Sequence, residues 1–229
     1  MRMNDISLYF ADEGTGTPLV LLHGNNDSSG YFASQIRYFY GKYRVIAPDT
    51  RGHGKTPRGS GEFSLTRFAE DLKHFLDFHG LYRIHLLGFS DGANIAVIFT
   101  LKYPEYVDKL ILNGGNLFPR GLKDSFYFHI LCRYASVCLR SLFNKKYVRE
   151  KEMLRLMTSE PRIKPRELEK IRIPVLVIAG SRDLIKESHT RLIHKSLPNS
   201  RLCIVDGSHC VAAENSGEFN RICENFLCG

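Results

Sequence analysis

No Cys-x-x-Cys pair occurs among the six cysteines of this 229-residue chain, at positions 132, 138, 203, 210, 223 and 228. Zinc sites of the usual cysteine spacing are thereby excluded. The first residues, Met1 to Asp5, are polar, which predicts neither a secretory signal nor a transit sequence and points to the cytoplasm. There the cysteines are expected to stay reduced, and several fall among apolar residues, where a free cysteine serves as a small hydrophobe. Internal repeats and low-complexity linkers are absent. No stretch reads as a membrane span: the most apolar segment, Ser125–Phe143, is interrupted by Arg133 and Arg140, and His129 adds polarity. The basic residues follow no nucleic-acid motif and have no regular spacing of aromatics between them, so nucleic acid is a poor fit as a partner.

What is present suits one large domain, residues 1–229, with 43% hydrophobic residues to build its core. Short apolar runs recur at Pro18–Leu22, Tyr43–Ala47, Arg83–Leu87, Val107–Leu112, Pro174–Ala179 and Arg201–Val205, each bounded by Gly, Pro, Asp or Asn. They predict strands buried on both faces. Ile6–Phe10, with Ile6, Leu8 and Phe10 alternating, reads as an edge strand. Between the runs lie amphipathic helices. Leu65, Phe68, Ala69, Leu72, Phe75 and Leu76 share one face, as do Phe219, Ile222, Cys223, Phe226 and Leu227, with Ser216 as the expected N-cap. This alternation predicts an α/β fold: a mostly parallel sheet with helices on both faces, its chemistry at the carboxyl ends of the strands.

One region breaks the rhythm. Between the strands ending near Leu112 and starting near Ile173, the chain is far longer than one crossover helix needs, so residues 116–170 are expected to form an inserted cap with helices at Ser125–Phe143 and Tyr147–Met157. Asn116 to Arg172 hold 14 Lys and Arg against 6 Asp and Glu, a net +8 that equals the formal charge of the whole chain. This segment is either a solvated basic face or a surface that attracts an anionic substrate.

Gly88-Phe89-Ser90-Asp91-Gly92 sits where an apolar strand gives way to an apolar helix. A serine at so sharp a turn needs glycine at both flanks, because a Cβ there would meet the neighbouring strand and helix. Ser90 is therefore the candidate nucleophile, and a serine hydroxyl needs a base to take its proton. Of nine histidines, His209 lies directly after the last strand, at the same sheet edge; His74, His79, His189 and His194 belong to helical stretches, and His85 lies within a strand. The base needs an acid to hold its tautomer, and Asp183 follows the strand before. Donors for an oxyanion are the backbone N–H groups of Asp91, at a helix start, and Asn25, after strand Pro18–Leu22. His23 is read as ordering that loop.

These pieces resemble the α/β-hydrolase fold family over nearly the whole chain. The matching signposts are Leu21-Leu22-His23-Gly24-Asn25, Asp49-Thr50-Arg51-Gly52-His53-Gly54, the Ser90 pentapeptide, Gly180-Ser181-Arg182-Asp183 and Gly207-Ser208-His209. The resemblance implies Ser90 as nucleophile, His209 as base, Asp183 as acid and the amides of Asn25 and Asp91 as oxyanion hole. It implies that residues 49–54 shape the site rather than react. Two departures stand out: the family's N-terminal hairpin is cut to one strand, and Cys210 follows the histidine where similar enzymes carry a larger apolar residue. Cys210 is read as packing, with a pocket-tuning or oxidation-sensing role as the alternative. Ser90 argues against the family's dehalogenases and epoxide hydrolases, which use Asp at that position.

The leading expectation is a serine hydrolase that cleaves a small or medium carboxylic ester through an acyl-enzyme, without metal or cofactor. The first alternative is a thioesterase for an anionic acyl donor such as an acyl-CoA, drawn by the basic cap. Another class also stays open, a ligand-binding or signalling protein on the hydrolase scaffold, because substrate choice lies outside the motifs.

Overall fold

The computed structural model describes residues 5–229, so Met1–Asn4 of the polar N-terminal stretch lie outside the described residues. In chain order the elements are β1 (Phe10–Glu13), β2 (Pro18–Leu22), α1 (Ala33–Phe39), β3 (Arg44–Pro48), α2 (Leu65–Phe78), β4 (Ile84–Phe89), α3 (Asp91–Lys102) and β5 (Val107–Asn113), then α4 (Asp124–Phe143), α5 (Val148–Ser159), β6 (Val175–Gly180), α6 (Glu187–Ser196), β7 (Ser200–Val205), α7 (Val211–Glu214) and α8 (Ser216–Cys228). The strands form one seven-stranded sheet in the order β1-β3-β2-β4-β5-β6-β7. Only β1 runs antiparallel, against β3; every other pairing is parallel. A parallel sheet buries both faces, and β4 and β6 are buried at every residue.

Two apolar layers cover the sheet. On one face Leu65, Phe68, Leu72, Phe75 and Leu76 of α2, with Ile95, Ala96 and Phe99 of α3, pack on Val20, Leu86, Leu110 and Val177. On the other, Phe39 of α1 and Phe219, Cys223, Phe226 and Leu227 of α8 pack on Leu19, Val45, Leu87, Ile111 and Ile178. The 3.6-residue spacing of α2 and α8 is thus core contact on opposite sides.

Four expectations need correction. The edge strand is Phe10–Glu13 rather than Ile6–Phe10; upstream, the Tyr9 N–H is taken by the Thr56 hydroxyl instead of a neighbouring strand. The last strand, β7, is not buried on both faces: as a sheet edge it is half open, with Ile204 exposed. The N-cap of α8 is Asn215, not Ser216, and the Asn215 amide donates to Glu218 at 2.8 Å. Finally, of the six free cysteines only Cys223 is buried; Cys132, Cys210 and Cys228 are exposed, so for these three, Cys210 included, a core packing role does not hold.

Between β5 and β6 the chain leaves the sheet and forms α4 and α5, which pack on each other through Ile130, Val137 and Leu154. Asn25 ties this helical pair to the sheet, its side-chain amide donating at 2.9 Å to the Met153 carbonyl of α5.

Candidate active site

Loops at the carboxyl ends of five parallel strands, β2, β4, β5, β6 and β7, converge on one cavity. Ser90 follows β4 directly and precedes α3, with φ 54° and ψ −119°. A non-glycine residue with positive φ stores about 1–3 kcal/mol of strain, which surrounding contacts must hold. Here the Ser90 N–H is held by the Asn113 carbonyl at 2.8 Å. The flanking glycines make the turn possible: a Cβ on Gly88 would strike the Gly92 carbonyl on α3, and a Cβ on Gly92 would strike the Leu22 carbonyl of β2.

The His209 ring lies between two partners. Its Nδ1 is 2.6 Å from Asp183 Oδ1 and its Nε2 is 3.0 Å from Ser90 Oγ. A carboxylate oxygen accepts, so Nδ1 carries the proton and Nε2 faces the serine hydroxyl as an acceptor. Asp183 is buried and its Oδ1 also accepts from the Ile185 N–H at 2.9 Å, which fixes the carboxylate against rotation. The Phe89 ring flanks His209 with centroids 5.0 Å apart and is itself stacked on Tyr31 at 4.2 Å.

Asp91 opens α3, so its N–H has no carbonyl one turn earlier within the helix and lies at the positive end of the dipole. Its carboxylate, given no part by the sequence reading, is buried and accepts from Asn25 Nδ2 at 3.0 Å and Asn94 Nδ2 at 3.2 Å. Burial pushes the group up to about 6, the two amides oppose that shift, and the nearby Glu160 charge adds to it. Glu160 is likewise held above the ordinary carboxylate range by burial, although the Leu65 N–H bonds to it.

Supporting residues account for the other signposts. His23 accepts the Thr50 N–H at Nε2, 3.0 Å away, and its Nδ1 donates to the Gly24 carbonyl at 2.7 Å, so it orders the loop as expected. Burial holds His23 below its ordinary value. Asp49 accepts the N–H groups of Ser29 and Lys55. Arg51, with no exposed surface, bonds Asp71 and Asp5; burial works against its charge, yet those carboxylates hold the guanidinium above its ordinary range. His189 is buried on α6, pushed down to about 4 by burial, and accepts the Leu117 N–H at 2.9 Å.

Sequence reasoning missed Gly114, which follows β5 with φ +62°; a Cβ there would lie 2.9 Å from His209 Cε1 and 3.4 Å from Asp183 Oδ2. The signal was available, since Asn113-Gly114-Gly115 also follows a parallel strand. The side chain of Asn25 was missed as well, and nothing in the sequence pattern marks its bond to Asp91.

The cavity over Ser90 has a volume of about 650 Å³. Its floor is Asn25, Phe89, Ser90, Asp91 and His209; Phe126, Ile130, Met153 and Met157 from α4 and α5 supply an apolar wall, and Lys146 and Arg149 also line it. Among the described residues no group of His, Cys, Asp and Glu is placed to hold a metal ion. No helix among them is long and apolar enough to cross a membrane.

A sheet of this order, with a serine on a strained strand-to-helix turn beside a histidine and an aspartate, defines the α/β class of hydrolase folds. The chain belongs to that family: the family model described as alpha/beta hydrolase fold matches residues 17–156. It is 28% identical over 250 residues to serine hydrolase BPHL of Homo sapiens, covering 99% of this chain and 85% of that protein. Among solved structures it is similar to a bromoperoxidase from Bacillus anthracis, 25% identical with a TM-score of 0.82, covering 98% of this chain and 96% of that one. A thermophilic esterase from Thermogutta terrifontis, 24% identical with a TM-score of 0.78, covers 97% of this chain and 93% of its own and shares the fold. Curated relatives of the chain are hydrolases, which supports hydrolase activity.

Proposed function

We propose that this protein is a serine hydrolase of small or medium carboxylic esters, working by an acyl-enzyme mechanism with no metal or cofactor. The observation that carries the reading is the pair of bonds on one ring, His209 to Ser90 Oγ at 3.0 Å and to Asp183 Oδ1 at 2.6 Å. Ser90 Oγ attacks the ester carbonyl carbon while His209 Nε2 takes the hydroxyl proton. The N–H groups of Asn25 and Asp91 bind the developing oxyanion, and Asp183 stabilises the imidazolium. As the tetrahedral intermediate collapses, His209 gives its proton to the departing alcohol oxygen. Water then repeats the sequence on the acyl-enzyme, with His209 as base, releasing the carboxylic acid and restoring Ser90.

The helices of residues 116–170 act in this reading as a cap that selects the substrate. Phe126, Ile130, Met153 and Met157 face the acyl chain. A cytoplasmic setting is part of the proposal, supported by six unpaired cysteines. The test is turnover of p-nitrophenyl esters of graded chain length beside Ser90→Ala. Multiple turnover that the variant loses is expected; equal rates from both proteins would remove Ser90 from the chemistry. A single slow acylation with the product retained would favour a ligand-binding protein instead.

One observation favours a second substrate class. Lys146 and Arg149 line the cavity, and neither has a carboxylate at ion-pair distance among the described residues, whereas Arg133 is neutralised by Glu150 at 2.6 Å. An anionic acyl donor such as an acyl-CoA thioester suits that lining. Its kcat/KM should then fall with salt, because exposed charges are screened within about 10 Å at 0.1 M.

A further inference from the structure

Helix α4 turns only one side to the protein. Ile130 and Val137 are buried against Leu154 of α5. On the opposite side Phe128, Leu139, Leu142 and Phe143 are 68, 62, 73 and 85% exposed, and Leu131, Cys132 and Ala135 are exposed between them. With 3.6 residues per turn, these positions fall within an arc of about 120°. Scattered exposed apolar residues need no explanation, but a contiguous stripe along a helix marks a surface that something covers.

Charge says what covers it. Along one flank of the arc run His129, Arg133 and Arg140, and the exposed Lys145, Lys146 and Arg149 follow the helix in the chain. Arg133 pairs with Glu150, while Arg140 and Lys146 lie over the Tyr147 ring. Arg140, Lys145, Lys146 and Arg149 have no carboxylate at ion-pair distance among the described residues. An apolar arc flanked by unneutralised cations is the chemistry of a helix lying in a lipid headgroup layer, apolar side chains toward the acyl region and cations toward anionic headgroups. A second copy of this chain fits less well, because twofold pairing through α4 would set two basic segments, each with 14 Lys and Arg against 6 Asp and Glu, beside one another.

We propose that α4 docks this protein on an anionic lipid surface. Because Arg133, Lys146 and Arg149 also line the cavity, docking places its mouth at headgroup level. The inference concerns where the protein sits and holds whether or not the cavity hydrolyses esters.

Flotation with vesicles tests it, using phosphatidylcholine alone and phosphatidylcholine mixed with phosphatidylserine. The protein should float with the mixed vesicles, remain behind with phosphatidylcholine alone, and be released by high salt. Leu139→Glu with Leu142→Glu, both outside the cavity lining, should abolish flotation and leave the melting temperature unchanged. Arg140→Gln with Lys145→Gln should lower the partition coefficient roughly thirtyfold. Failure to float with phosphatidylserine, equal binding to both vesicles, or undiminished binding by Leu139→Glu/Leu142→Glu would overturn the proposal. So would a dimer in sedimentation equilibrium that this double variant splits, since the stripe would then be a contact between copies.

Discussion

Replacing Gly114 by alanine perturbs the proposed base without replacing any ionisable group. The new Cβ would lie 2.9 Å from His209 Cε1 and 3.0 Å from Nδ1. Carbon atoms in ordinary contact are about 3.5–4.0 Å apart, so the ring must retreat by about 0.6 Å or more. That movement opens the 3.0 Å contact between His209 and Ser90, and a misplacement of about 1 Å costs on the order of 10²-fold in rate. Left-handed backbone at Gly114, φ +62°, adds a penalty for alanine of about 1–2 kcal/mol. A domain has about 5–15 kcal/mol of stability to spend, so the variant still folds. The assay is kcat and KM on a p-nitrophenyl ester beside a thermal melt. The expected result is kcat about a hundredfold lower, KM little changed, and a melting temperature lower by about 2–8 °C. A kcat within about twofold of the parent, with the same loss of melting temperature, would refute the link between His209 position and rate.

Two further outcomes follow from buried charges. Asp71→Asn leaves the fully buried Arg51 without its closest buried carboxylate, at 2.7 Å, and should cost about 3–5 kcal/mol in urea unfolding; a loss below about 1 kcal/mol would mean that water reaches the guanidinium. Asp91 sits at about 6 against an ordinary 3.8, so between those pH values the folded protein binds more protons than the unfolded chain. Stability should therefore fall as pH rises through that window, by about 3 kcal/mol from this group. Asp91→Asn removes the contribution, so the unfolding free energies of parent and variant should change in parallel only outside the window; parallel curves throughout would contradict a raised Asp91.

Much of this architecture was legible in local pattern. The parallel strands appear as short apolar runs because both sheet faces are covered, and the amphipathic spacing of α2 and α8 reports the face each turns to the sheet. Where the pattern misled, burial and pairing had separated. Leu8 is buried and Ile6 packs against the core without belonging to a strand, so their alternation marks contact rather than a hydrogen-bonded ladder.

The candidate site divides the same way. Ser90, Asp183 and His209 could be found because each follows a strand, and parallel strands bring their carboxyl ends together. The buried carboxylate of Asp91 and the side chain of Asn25 could not, because their bonds join residues 66 and 128 positions apart. No periodicity encodes such contacts. Gly114 lay within reach of the strand-end rule, but its importance is its distance from a ring belonging to another loop.

The central claim is that Ser90 is a nucleophile activated by His209, and a fluorophosphonate probe measures this directly. Intact mass after labelling should rise by one adduct, peptide mapping should place it on Ser90, and His209→Ala should slow its formation. An unlabelled protein, or an adduct that persists in Ser90→Ala, would contradict the account.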